Sequence, residues 1–120
     1  MGKKESVLRE KSYEFAVRIV KLSQFLQNKK KEFILNKQIL RSGTAIGALI
    51  REAEFAQSNA DFIHKLSISL KEANETAYWL SLLKDTDYVD LNLYKSFSQD
   101  CAGLVSMLVS SIKTLKTKTP

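Results

Sequence analysis

The only proline in the 120-residue chain is Pro120, its last residue. Proline removes a backbone donor and clashes with the turn before it, so it is the strongest single interruption of a helix. A chain with none before its final position, and with only four glycines, has almost nothing to stop long helices. The fold class this predicts is all-α.

Apolar spacing divides the chain into four helices, about 5–27, 34–57, 59–84 and 90–116. In the first, Phe15, Ile19, Leu22 and Leu26 repeat at helical spacing. The polar, lysine-rich stretch QNKKKEF reads as a solvated turn. In the second helix Ile39, Gly43, Ile46, Ile50 and Ala53 form a heptad-like seam. Ser58 or Asn59 then serves as a cap, with Asp61 in the first turn of the third helix. The seam of that third helix reads Phe62, Leu66, Ser69, Ala73, Ala77 and Leu80. Asp90, closing the acidic turn KDTDYVD, caps a fourth helix with Phe97, Cys101, Leu104, Leu108, Ile112 and Leu115 on one face. Helices of this length joined by short turns predict an up-down-up-down antiparallel four-helix bundle, one domain over residues 1–120.

Two features ask for more than a lone bundle. The second helix holds Gly43 and Gly47 within RSGTAIGALIREA, and each costs a helix about 1 kcal/mol relative to alanine. Small residues at Gly43, Ala45 and Gly47 would let a neighbouring helix approach the backbone closely; the alternative is a kink at Gly43. The first helix also carries Tyr13, Val17, Val20 and Phe25 beside its main stripe, and the fourth carries Val105 and Val109. A surface wider than one core-facing stripe predicts a homo-oligomer, with a generous core as the alternative.

The side chains offer little catalysis. His64 is the sole histidine; Asp61 and His64 form one isolated i, i+3 pair, and Glu72 and Glu75 another, better suited to interhelical ion pairs than to metal or acid–base work. Cys101 lies on an apolar seam, where a thiol is inert packing, and as the only cysteine it forms no internal disulfide. Neither an enzyme nor any cofactor is expected. The opening MGKKES has a signal peptide's charge without its apolar run. It matches the short M-G-x-x-x-S myristoylation pattern, which is weak on its own. No stretch is long and apolar enough to span a membrane, and a cytoplasmic location is expected.

Charge is the clearest functional pointer. The net charge is +6, and residues 1–32 hold nine Lys or Arg against four Glu. The candidate nucleic-acid contacts are therefore Lys3, Lys4, Arg9, Lys11, Arg18, Lys21, Lys29, Lys30 and Lys31, which would hold a phosphate backbone without reading bases. The alternative is a structural or adaptor oligomer that binds a protein partner, its basic face serving solubility.

The second and third helices carry a more specific pattern. Gln38, Arg41, Ser42, Ile46, Ile50, Glu52 and Ala53, then Ser58, Asp61, Phe62, Lys65, Lys71, Glu72, Ala73, Glu75, Trp79 and Leu80, resemble the bacterial four-helix-bundle family encoded in intervening sequences of 23S rRNA genes. Its members are often labelled ribosomal-protein-like, and it is related to accessory proteins of diversity-generating retroelements. The resemblance is densest over residues 38–83. It implies a homopentameric barrel and association with RNA or DNA. The chain departs from the family at Ala45, where serine is usual, at Leu49, where asparagine is usual, and at Arg51, where a small residue is typical. A polar contact made by that asparagine would be replaced here by apolar burial.

Overall fold

The computed structural model describes residues 3–118. Met1 and Gly2 of the lipidation pattern, Pro120, and the two ends of the domain read as 1–120 lie outside the described residues. Four helices make up the fold: α1 Lys3–Asn28, α2 Leu35–Ala53, α3 Asn59–Asp85 and α4 Leu91–Thr117. No strand is present among the described residues. Each helix packs on the next and α4 returns to α1, forming a bundle of 50 × 22 × 19 Å whose α4–α1 seam is the least intimate of the four.

The core is built from the predicted rows. Phe15, Ile19, Leu22 and Leu26 of α1 meet Ile39, Ile46 and Ile50 of α2, Leu66, Ala73 and Leu80 of α3, and Phe97, Leu104 and Leu108 of α4, all buried. Burying each large side chain contributes roughly 1.5–3 kcal/mol. The α3 seam needs one correction. Ala77 is exposed and Thr76 is buried instead, so the inward line runs Leu66, Ser69, Ala73, Thr76, Leu80 and Leu83. Hydroxyls make this possible: Thr76 Oγ1 donates to Ser42 Oγ at 2.9 Å, and Ser69 Oγ donates to the Ile46 carbonyl at 2.9 Å. Small, satisfied polar groups let α2 and α3 approach without leaving a buried donor unpaired.

The turns fix the register. α2 stops at Ala53, four residues short of the predicted end at 57, because the amides of Glu54, Phe55 and Ala56 bond to the carbonyls three residues back and tighten the chain. Ser58 then caps α3, accepting from the Asp61 amide at 3.0 Å, and Asp90 caps α4, accepting from the Leu93 amide at 2.8 Å. The α1–α2 turn is less solvated than its sequence suggests. Lys29, Lys30 and Lys31 are exposed, Lys31 in the left-handed region at φ 54°. Glu32 folds inward and accepts from the amides of Asn36 at 2.7 Å and Ile34 at 3.3 Å, while Ser23 Oγ donates to Asn36 Oδ1 at 2.5 Å. The two Glu32 bonds take up orphan donors at the start of α2, which has no side-chain cap at Ile34.

Candidate nucleic-acid interface

Antiparallel packing redistributes the nine candidate cations instead of presenting them together. Arg9 pairs with Glu54 beyond the end of α2 at 3.3 Å. Arg18 pairs with Asp100 on α4 at 2.5 Å, donates to Ser96 Oγ at 2.8 Å, and lies 4.1 Å from the centre of the Phe97 ring. Lys11 sits 3.9 Å from Glu14 on its own helix. These three are partly neutralised within the chain. Lys3, Lys21 and Lys29 are exposed. Lys30 stands over Phe25, 5.8 Å from the ring centre, and shares a cleft with Asp87 and Asp90 of the acidic turn. Lys30 of the lysine run therefore shares its cleft with carboxylates that are more than fifty residues away in sequence.

Three further cations join these candidates only through the fold. Lys4 Nζ donates to Ser110 Oγ at 2.6 Å and Thr114 Oγ1 at 3.3 Å, which fixes the start of α1 against the end of α4. Lys113, Lys116 and Lys118, all exposed, thereby join Lys3 and Lys4 at one end of the bundle. Residues 101–118 contain no carboxylate. The basic stretch KTLKTK is plain in the sequence, but its partnership with the N-terminal lysines needs the antiparallel pairing.

The remaining motif residues hold helices together. Arg41 reaches Glu72 at 3.2 Å, pairs with Glu75, and donates to Gln38 Oε1 at 3.5 Å; Trp79 Nε1 donates to Glu75 Oε2 at 2.9 Å. Lys65 pairs with Glu52 at 3.4 Å. This cluster ties α2 to α3 along a partly solvated face, where such pairs contribute little energy but specify register. Gly43 and Gly47 face α1: a Cβ on Gly43 would lie 2.8 Å from Ile19 Cγ1, and one on Gly47 would lie 3.3 Å from the Ser12 carbonyl oxygen. α2 runs through both glycines as one helix, so close approach replaces the kink alternative. Ala45 lies two residues from each glycine, about 200° round the helix, and takes no part in that contact. Leu49 is half-buried.

The second apolar strip of α1 divides between two faces. Tyr13 and Ala16 line a shallow groove with Thr44, Gly47, Ala48 and Arg51 of α2. Val17 and Val20 are also exposed on α1. Phe25 instead lies over the α1–α4 seam with Leu93 and Phe97. On α4, Val109 is exposed and Val105 is packed against the core. Phe55, in the α2–α3 turn, is 83% exposed.

Cys101 is buried, its Sγ donates to the Ala73 carbonyl at 3.3 Å, and burial, with a smaller contribution from Asp100, pushes its thiol up to about 11. His64 is exposed, and among the described residues no three His, Cys, Asp or Glu side chains are grouped to hold a metal. No helix among them is long and apolar enough to cross a membrane.

Comparison with known proteins agrees with this architecture. The sequence model of the family described as 23S rRNA-intervening sequence protein matches residues 4–110. A crystal structure of a protein of unknown function from the S23 ribosomal protein family of Bacteroides thetaiotaomicron is 59% identical, covering 92% of this chain and 98% of its own, with a TM-score of 0.91. A search of the curated proteins gives no match.

Proposed function

The chain belongs to the 23S rRNA-intervening sequence protein family, and from that premise we propose a non-enzymatic, oligomeric bundle that holds the backbone of RNA or DNA without reading its sequence. The carrying observation is a net charge of +6, with Lys3, Lys4, Lys113, Lys116 and Lys118 exposed at one end of the bundle. A ribosomal-RNA family description and a solved relative from a ribosomal protein family support RNA as the first polyanion to test. Assembly is supported by Tyr13, Val17 and Val20, large apolar side chains left exposed together on α1. In the homopentamer that the resemblance implies, the charge would reach about +30, enough to gather several phosphates per strand. A cytoplasmic setting suits such a role.

The test is binding of labelled RNA and DNA across a salt series. The expected result is binding that weakens steeply as salt rises and differs little between sequences. Absence of binding at low salt, or tight binding indifferent to salt, would reject the reading. The same α1 face favours one second reading, a structural adaptor whose apolar surface meets another protein. In that case a protein partner captured from the native host survives nuclease treatment, and neutralising lysines leaves its capture unchanged.

A further inference from the structure

The end of the bundle where α1 begins and α4 finishes combines two features found together in proteins that hold unpaired nucleic acid. The first is charge. Lys3, Lys4, Lys113, Lys116 and Lys118 are exposed there, and none makes an ion pair among the described residues. Lys4 is held by the hydroxyls of Ser110 and Thr114, which position it without cancelling its charge. Of the carboxylates nearby, Glu54 pairs with Arg9, Asp61 accepts from the Gln57 amide, Glu5 is half-buried, and Glu10 is exposed further along α1, so five lysines outnumber the two carboxylates of α1 that share this end. The opposite end, some 39 Å away along the 26 residues of α1, sets Lys30 against Asp87 and Asp90.

The second feature is Phe55. Its ring is the most exposed of the large apolar side chains described, in a turn whose backbone is anchored by the bond from its own amide to the Glu52 carbonyl. The Arg9–Glu54 pair puts that turn beside the first turns of α1, at the lysine end. The cross-section of 22 × 19 Å keeps the ring and the lysines within a few nucleotides' reach of each other. An exposed ring on a fixed turn offers a face for a base, and every unpaired base has a matching face, whereas a duplex buries its bases in its own stack.

We infer that this end is the nucleic-acid contact of the proposed function, and that its ligand is single-stranded: phosphates on the lysines and an unpaired base against Phe55. This assignment rests on the nucleic-acid reading and narrows it to one surface and one class of strand. The altered side chains are exposed and make no core contact, so the variants are expected to fold; circular dichroism melts check this.

The experiment measures fluorescence anisotropy of a labelled single-stranded RNA and of the corresponding duplex against the full chain and three variants, each over a salt series. In K3Q/K113Q/K116Q/K118Q the slope of log affinity against log salt should shrink by up to about three, since each lost single-strand phosphate contact removes about 0.7. F55A should weaken the single strand about five- to hundred-fold at unchanged slope and leave the duplex as it was. K29Q/K30Q/K31Q should bind like the parent. Loss that follows the turn lysines, with the end variants unaffected, overturns the assigned surface while the nucleic-acid reading stands. An F55A protein that binds the single strand like the parent overturns the stacking contact. A parent chain that ignores both nucleic acids at low salt rejects the reading and this assignment together; if it nevertheless binds inorganic polyphosphate through the end lysines, the surface is a phosphate site of another kind.

Discussion

Two glycines on similar helices have different local consequences, and the difference is set by what lies above each. A methyl on Gly43 would press on the buried, β-branched Ile19 at 2.8–3.0 Å, where little can yield. A methyl on Gly103 would meet nothing within 4 Å. Gly103→Ala should therefore raise stability by about 0.5–1 kcal/mol through helix propensity. Gly43→Ala gains the same propensity but adds overpacking of about 1–3 kcal/mol, for a net loss of roughly 1 kcal/mol. Urea denaturation midpoints measure both; equal shifts in the two variants would contradict the close approach of α1 to α2. Cys101 supplies a second residue-scale prediction. Its folded thiol, raised to about 11, keeps its proton when the unfolded thiol, near its ordinary value of 9.0, has released one. Between those values the native state binds more protons, so stability falls as pH rises, by up to about 1.4 kcal/mol per pH unit. Comparing Cys101→Ser with the parent should show a slope difference confined to that alkaline range. Thiol labelling at neutral pH should be slow until denaturant is added.

The turn between α1 and α2 shows how an element's boundary arises from groups that its own sequence does not advertise. Replacing Glu32 by alanine leaves the Asn36 and Ile34 amides without their carboxylate acceptor. This should cost about 1–2 kcal/mol, whereas Lys30→Ala, on the exposed side of the same turn, should fall within about 0.5 kcal/mol of the parent. Thermal melts of the two variants check the contrast. Glutamate beside three lysines reads as solvated because composition reports chemical type, not direction; only the return of the chain at Lys31 turns it inward. The caps at Ser58 and Asp90 were legible because capping is local, a short polar side chain reaching an amide three residues on. The end of α2 was not, since EFAQ contains neither glycine nor proline and the helix gives way to a tightened turn. Ala77 and Thr76 exchange places for a related reason: hydrophobicity favours alanine inside, but Ser42 on α2 gives the threonine hydroxyl a buried partner. For the candidate interface, each charge was visible while its neutralisation was not. Arg18 and Asp100 are 82 positions apart, and nothing short of the fold brings them together.

For the whole molecule the decisive quantity is how many copies share their surfaces. In a lone chain, Val17 and Val20 are exposed, so neither contributes much to holding that chain folded. If the proposed assembly covers them, they contribute to association instead. V17E/V20E then separates the two states: a surface change of this kind should leave chain folding nearly unaltered, while buried like charges facing a neighbour would be strongly unfavourable. Native mass spectrometry of the parent should give a multiple of 13.6 kDa, and that of V17E/V20E the single-chain mass, with matching helical circular dichroism. Nucleic-acid affinity should fall in the variant even though every lysine remains, because a strand bridging several subunits gains from effective concentration and a single basic end does not. A parent chain at single-chain mass across the micromolar range would remove that multiplication. Any binding would then have to come from one protomer's lysines, and the salt slope would be limited to the few phosphates they reach.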